Sequence, residues 1–235
     1  MQTIPQRTEK KLWIDHSILF CLGVLIFVLP IAHTATIRSF ALSVPLVLLA
    51  IRYYLAKDFI WVKTSFELPF FAFFLIAMAS LPTSIDPIES FKEIRSELLK
   101  PILLFYVSYF AIRKENDGIL LLGVLFFGSL VFSLYSYYDF YAKNGALFHS
   151  DYRAGGLRDP GGGEIAGLYH TMVIPFIFLG FFYFKKYQHY LVLSALLAVN
   201  LLALHITFTR ASYLALGIQA ILVGILLLRK RRWLL

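Results

Sequence analysis

The sequence has little charge and a single cysteine, and both shortages limit the classes of protein to which it can belong. Only 15% of its 235 residues are charged, whereas 59% are hydrophobic and 17% are aromatic. Soluble globular domains are about 25% charged and about 45–50% apolar, so this composition excludes a water-soluble enzyme with one compact core. The lone Cys21 excludes an intramolecular disulfide and any zinc or iron–sulfur site built from cysteines.

Apolar runs take up most of the chain and predict an all-α fold, a polytopic transmembrane helical bundle. A helix needs about 20 mainly apolar residues to cross a bilayer. Runs that leave no polar face do not fit amphipathic surface helices. We predict one integral membrane domain over residues 1–235 with about eight spans, at Ser17–His33, Ile37–Leu55, Phe66–Leu81, Leu99–Ile112, Ile119–Tyr141, Ala166–Phe184, Tyr190–Phe208 and Ser212–Leu228.

The basic residues that flank these runs predict the orientation of the chain. With the N-terminus in the cytoplasm, fourteen of the 22 lysines and arginines fall on the inner side and eight on the outer side. Cytoplasmic connections are rich in lysine and arginine, so this bias predicts that both termini are cytoplasmic. The formal net charge of +8 then reflects topology, and no nucleic-acid partner is expected.

The connection after the third predicted span has the pattern of a short helix on the membrane surface. Asp86 can cap this helix, Pro87 suits its first position, and Glu89 stands three residues after the cap. Arg95 falls on its apolar side. It either extends toward lipid headgroups or pairs with a glutamate, or it points into the bundle and binds an anionic ligand. The apolar residues that recur at helical spacing are Ile88, Phe91, Ile94 and Leu98.

Glycines and arginines are concentrated in the connection from Ala142 to Ile165, ahead of the sixth predicted span. Arg153 and Arg158 offer planar pairs of donors that suit phosphate oxygens, and the glycines allow the backbone to approach a ligand closely. The free N–H groups of the following helix point to the same place. The connection is either a diphosphate-binding cradle or a flexible loop whose charges are solvated.

The turn between the last two predicted spans holds Arg210 near the apolar boundary. Only residues 207–212 make this turn, and an unpaired charge at such a depth is costly. Arg210 is therefore expected to bind a ligand or a structural partner, or else to anchor the helix at the interface. No catalytic base, metal site or cofactor is predicted, because no catalytic spacing surrounds the histidines His149, His170 and His205.

Three short segments, in this order, resemble the O-antigen ligase / O-antigen polymerase superfamily of bacterial inner-membrane proteins. Thr83–Pro87 is similar to the first outer loop of that family. Arg153–Pro160, followed by Ile174–Pro175 in the next span, resembles its Arg-x-x-Gly segment ahead of a proline-bearing helix. Thr207–Leu216 resembles its Ser/Thr-Arg-Gly/Ala turn. The chain differs at Gly161–Gly163, where the family usually has an asparagine after the proline.

The resemblance implies transfer of a glycan from a polyprenyl-diphosphate donor to the lipid A core, on the periplasmic face and among membrane lipids, in lipopolysaccharide biosynthesis. It implies no metal and no nucleotide sugar. Arg153, Arg158 and Arg210 lie on or beside the matched segments and would bind the diphosphate, with Arg95 added from the helical wheel. The alternatives are an O-antigen polymerase, a membrane transporter and a non-enzymatic membrane subunit.

Members of that superfamily continue with further spans and a large periplasmic loop, which carries a histidine proposed as general base. This chain ends at Leu235, shortly after the basic cluster 229–232. We therefore expect a C-terminally truncated product that lacks the catalytic loop. Whether this chain is an enzyme by itself is left open.

Overall fold

The computed structural model describes residues 6–31, 34–56, 64–112, 114–143, 146, 148, 152–155 and 163–232, and every regular element in these ranges is a helix. This confirms the predicted all-α class. The α-helices are α1 (Gln6–Val28), α2 (Ala35–Ala56), α3 (Glu67–Ser80), α4 (Pro87–Glu93), α5 (Lys100–Ala111), α6 (Glu115–Ala142), α7 (Gly163–Tyr183), α8 (Tyr187–Ile206) and α9 (Arg210–Arg232). A 3₁₀ turn, Leu81–Thr83, follows α3, and a π-helical segment, Ile94–Leu99, joins α4 to α5.

Within the described ranges, four helices are long and apolar enough to cross a membrane. They cover Thr36–Tyr54, Glu115–Ala142, Gly163–Tyr183 and Tyr187–Ile206, and each overlaps one of the eight predicted spans. Three shorter apolar helices, Trp13–Val28, Glu67–Thr83 and Arg210–Ile225, overlap three more. The remaining predicted span corresponds to α5, whose 12 residues are fewer than the roughly 20 that a bilayer requires.

The chain divides into two compact units. Unit 1 comprises Met1–Leu22 with Ser39–Gly118, and unit 2 comprises Gly23–Arg38 with Ile119–Leu235. The single domain predicted from composition stays a prediction.

Aromatic contacts and a buried ion pair stabilise unit 1. The ring of Phe105 on α5 lies 5.3 Å from that of Phe66 and 5.2 Å from that of Phe70 at the start of α3. The Nε atom of Arg52 lies 2.9 Å from Oδ1 of Asp15, and only 1% of the arginine side chain is exposed. None of the residues of α3 is buried, and Phe71 and Phe73 are among its exposed side chains.

The predicted start of the short surface helix is confirmed at α4. Oδ1 of Asp86 accepts hydrogen bonds from the backbone N–H groups of Ile88 and Glu89, each at 3.0 Å, and Pro87 occupies the first turn. The 3.6-residue spacing holds only as far as Glu93, because the next six residues are π-helical. Arg95 lies in that segment and is exposed, so its position on an α-helical wheel does not hold.

The core of unit 2 lies where α6, α7 and α8 pack together. Its buried side chains interlock, and the ring of Phe132 on α6 meets that of Tyr169 on α7 edge-on at 4.8 Å. A second, smaller cluster joins the last turn of α6 to the end of α8 through Phe140, Ala154 and Ile206. The main cluster consists of Phe132, Ala166, Tyr169, Val173, Ile177, Leu193 and Leu196.

Candidate functional site

Three separate parts of the chain meet at the first residue of α7. The turn between α8 and α9 reaches it through Thr209, whose hydroxyl donates to the carbonyl of Gly163 at 3.0 Å. The short segment 152–155 reaches the same turn, because the backbone N–H of Ala154 donates to the carbonyl of Ile206 at 3.1 Å. The start of α7, the segment 152–155 and the turn 207–210 therefore form one local structure, which we call the α7 mouth.

Glycine is required at Gly163 because the backbones approach closely there. A Cβ atom at this position would lie 2.4 Å from the carbonyl oxygen of Thr207 and 3.1 Å from Cβ of Arg153. One turn later, a Cβ at Gly167 would lie 2.5 Å from Oγ of Ser212. We predicted that the glycines allow the backbone to approach a ligand closely. At Gly163 the backbone instead approaches another part of the chain.

The α7 mouth brings two of the four predicted site residues onto neighbouring segments. Arg153 is exposed and packs its Cβ beside Gly163. Arg210 is exposed, directly follows Thr209 and begins α9. The first N–H groups of a helix attract anions, and both α7 and α9 begin at this mouth. Arg158 lies outside the described residues, and Arg95 belongs to unit 1.

The turn that carries Arg210 is strained. Phe208 has a φ angle of +49°, a left-handed conformation that a bulky residue rarely adopts and that glycine normally supplies after a helix. Packing holds it in place, because its ring lies 6.2 Å from that of Phe140 and 5.6 Å from that of His205. Strain of this kind persists only where the surroundings impose it, and it is frequent at functional sites.

A buried carboxylate that the sequence reasoning missed lies beside the segment of Arg153. Asp139, on the last turns of α6, is 6% exposed and accepts a short hydrogen bond from the hydroxyl of Tyr152. Its Oδ1 lies 3.1 Å from Nζ of Lys143, and Lys143 also donates to the Tyr152 oxygen at 3.0 Å. The three side chains fix Tyr152, the neighbour of Arg153, onto α6. In the sequence, the i,i+4 spacing of Asp139 and Lys143 is the feature that could have indicated this pairing.

This cluster shifts the titration of two of its members. Burial and the hydrogen bond to Asp139 raise the pKa of Tyr152. The hydrogen bonds to Tyr152 and Asp139 raise the pKa of Lys143. Both shifts favour the state in which the tyrosine is protonated and the lysine is charged, which is the state that pairs with the carboxylate.

We expect the Tyr152 contact to be lost only at alkaline pH. An exposed phenol ionises near pH 10, and the raised pKa of Tyr152 means that the folded chain holds this proton more tightly than the unfolded chain does. Its contribution to stability is therefore fully present below about pH 10 and lost as pH rises through the folded-state pKa. The measurement is an ultraviolet difference titration of the wild type against Tyr152→Phe, with Tyr187→Phe as the reference. An inflection at or below that of the reference would contradict the expectation.

His170 and His205 contact neighbouring groups in the way that structural histidines do. Nδ1 of His170 lies 3.0 Å from Oδ1 of Asn200 on the neighbouring helix α8. His205 accepts a bond at its backbone carbonyl from the hydroxyl of Tyr213 at 2.9 Å. Among the described residues, no group of three or more histidines, cysteines or carboxylates could hold a metal ion. His149 lies outside the described ranges.

Comparison with known proteins identifies no relative of this chain. The chain matches no protein-family model, no curated protein and no solved structure. The α7 mouth, with Arg153 and Arg210 on adjoining segments and two helix N-termini, is the part of the described chain best suited to bind an anionic group.

Proposed function

We propose that the chain is a multi-pass protein of the bacterial inner membrane, with about eight spans and both termini in the cytoplasm. Support comes from the four long apolar helices and the three shorter ones, together with the excess of lysine and arginine on one side of the predicted topology. In this orientation, the α7 mouth faces the periplasm. The shorter helices cross with local thinning of the bilayer or with flanking polar side chains that extend to the headgroups.

We further propose that the α7 mouth binds the diphosphate of a polyprenyl-linked glycan and takes part in O-antigen ligase-like transfer to the lipid A core. The observation that carries this proposal is that the segments of Arg153 and Arg210 both contact Gly163. Guanidinium groups pair with phosphate oxygens through two parallel hydrogen bonds, and backbone N–H groups at helix starts add further donors.

The chemistry requires stabilisation of a leaving group. The bond between the anomeric carbon of the glycan and the diphosphate oxygen breaks as a bond to an acceptor hydroxyl forms, and the hydroxyl proton leaves with the diphosphate product. Negative charge grows on the departing diphosphate, so fixed cationic donors lower the barrier. The proposed role of the α7 mouth is carrier binding, and no catalytic base is assigned to the described residues.

Direct binding tests the site. We expect the purified chain in lipid nanodiscs to bind a polyprenyl diphosphate more tightly than the monophosphate. Arg210→Ala and Arg153→Ala should each weaken diphosphate binding by about tenfold to a hundredfold, because a hydrogen bond to a charged group contributes about 1.5–3 kcal/mol. Arg210→Lys, which keeps the charge but loses the paired donors, should fall between Arg210→Ala and the wild type.

One control variant completes that test. Lys186→Ala, at the opposite end of α7, is the matched control and should bind as the wild type does. Equal affinities for diphosphate and monophosphate, or unchanged binding by Arg210→Ala, would count against the site.

The cellular phenotype separates the alternatives. When Arg210→Ala replaces the chromosomal copy in the native host, a ligase defect gives lipid A core without O-antigen, whereas a polymerase defect gives core with one repeat unit. Normal banded lipopolysaccharide would leave the transporter and the non-enzymatic subunit as the remaining functions.

A further inference from the structure

One face of α6 carries buried hydroxyl groups from the middle of the helix to its last turns. Ser129, Ser133 and Ser136 all have 0% exposure, and their spacing of four and three residues places them on one side of the helix. Asp139 follows three residues later on the same side, at the end where Lys143 and Tyr152 lie. We call these four side chains the serine face.

A fixed hydrogen-bond network joins the serine face to α7 and α8. The amide nitrogen of Asn200 donates to Oγ of Ser129 at 3.3 Å and to the carbonyl of Leu196 at 2.9 Å. Both amide protons are thereby used, so Oδ1 of Asn200 accepts from Nδ1 of His170. The proton of the imidazole is on Nδ1, and Nε2 presents a lone pair.

That lone pair and two nearby hydroxyls are buried without a hydrogen-bond partner among the described residues. The three atoms are Nε2 of His170, Oγ of Ser133 and Oη of Tyr169. Two of them belong to side chains that pack on one ring, because the ring of Phe132 lies 5.4 Å from the imidazole of His170 and 4.8 Å from the ring of Tyr169. Buried polar atoms are almost always hydrogen-bonded, to protein or to ordered water.

We propose that ordered water occupies the interior of unit 2 along the serine face and donates a hydrogen bond to Nε2 of His170. Side chains three or four residues apart on a helix have Cβ atoms about 5–6 Å apart, a gap that one water molecule bridges with two hydrogen bonds. The hydroxyls of Ser133 and Ser136 therefore provide successive binding points from the Asp139 end of α6 inward. The route begins beside the α7 mouth.

Water fits these atoms better than other occupants do. An apolar molecule would leave a lone pair and two hydroxyls unsatisfied. A metal ion would find one nitrogen and neutral oxygens, with no carboxylate among the three unpartnered atoms. A water molecule donates to Nε2, accepts from a hydroxyl and has two to four partners, as buried waters in proteins usually have. His170 then contacts water although no part of its side chain is exposed to the surface.

Water-edited solid-state NMR of the full chain in lipid bilayers tests this directly. Tyr169–His170 is the only Tyr-His pair in the sequence, so carbonyl-labelled tyrosine combined with labelled histidine selects His170 without mutation. We expect polarisation to pass from water to Nε2 of His170 as fast as to a hydrated side chain. Ser133→Ala should slow or abolish this transfer, and Ser136→Ala should reduce it.

Ser194→Ala is the matched control, because Ser194 lies on the exposed side of α8 and should leave the transfer unchanged. The proposal is overturned if His170 receives no polarisation from water in the wild type. It is equally overturned if Ser133→Ala leaves the transfer intact, or if Ser194→Ala reduces it as much. None of these results depends on whether the α7 mouth binds a diphosphate.

Discussion

Gly163→Ala is expected to separate the start of α7 from the turn between α8 and α9. The added Cβ would lie 2.4 Å from the carbonyl oxygen of Thr207, and a backbone carbonyl cannot rotate away as a side chain can. Relief requires movement of the helix or of the turn, so we expect a loss of about 3 kcal/mol, the upper end of the usual cost of overpacking. Because the segment of Arg153 contacts the same residue, diphosphate binding should fall with stability.

Two measurements follow this change. SDS titration in mixed micelles, monitored by circular dichroism, gives the free energy of unfolding. Amide hydrogen exchange at Ala154, whose N–H donates to Ile206, reports the local opening, which we expect to become faster.

The chain offers its own controls for this substitution. Gly217, in α9, has no atom within 4 Å of an added Cβ, so Gly217→Ala should leave stability unchanged or raise it by up to about 1 kcal/mol through helix propensity. Gly167→Ala should cost less than Gly163→Ala, because its nearest neighbour is the rotatable hydroxyl of Ser212. If Gly163→Ala and Gly217→Ala proved equally stable, the close contact at the α7 mouth would be wrong.

Removal of the negative charge of Asp15 is expected to destabilise unit 1 to a similar extent. Arg52 is 1% exposed, and its Nε lies 2.9 Å from Oδ1 of Asp15. A buried charge that loses its counter-charge typically costs about 3–5 kcal/mol. Because Asp15 is 30% exposed, we expect Asp15→Asn to cost about 3 kcal/mol, at the lower end of that range. The same SDS titration gives the value.

A double variant distinguishes the charge from the packing. Asp15→Asn combined with Arg52→Met removes both charges and keeps an apolar side chain of similar length, so most of the lost stability should return. Lys92 and Glu89 form an exposed pair at 2.8 Å, and Glu89→Gln should cost no more than about 0.5 kcal/mol. A large cost for Glu89→Gln together with a negligible one for Asp15→Asn would reverse the expected order.

Local features of the fold could be predicted from the sequence because neighbours along the chain determine them. Asp86, Pro87 and Glu89 stand next to the helix that they start, and the cap forms as expected. The apolar runs also correspond to helices, since continuous hydrophobicity leaves no other stable arrangement in a membrane. Their ends differ from the prediction by a few residues, as at α7, which begins at Gly163 rather than Ala166.

The details of the candidate site could not be predicted in the same way. Whether a glycine serves a loop, a ligand or a packing contact depends on its partner, and the partner of Gly163 is Thr207, far along the chain. The pairing of Asp139 with Tyr152 likewise depends on where the intervening segment returns. Arg153 and Arg210 could be selected because each lies in a short polar connection between apolar runs, whereas Asp139 was missed because only its partners reveal its burial.

The number of residues in the π-helical segment Ile94–Leu99 determines how α4 is rotated about the axis of α5. Wide turns of this kind accommodate an additional residue within an α-helix. Deletion of one residue from this segment would let the hydrogen bonding revert to the α-helical pattern. Each residue of an α-helix corresponds to about 100° of rotation. The deletion would therefore rotate α4 and its cap residue Asp86 about the axis of α5. Insertions and deletions at this point therefore steer the direction of α4 without altering the residues of α5.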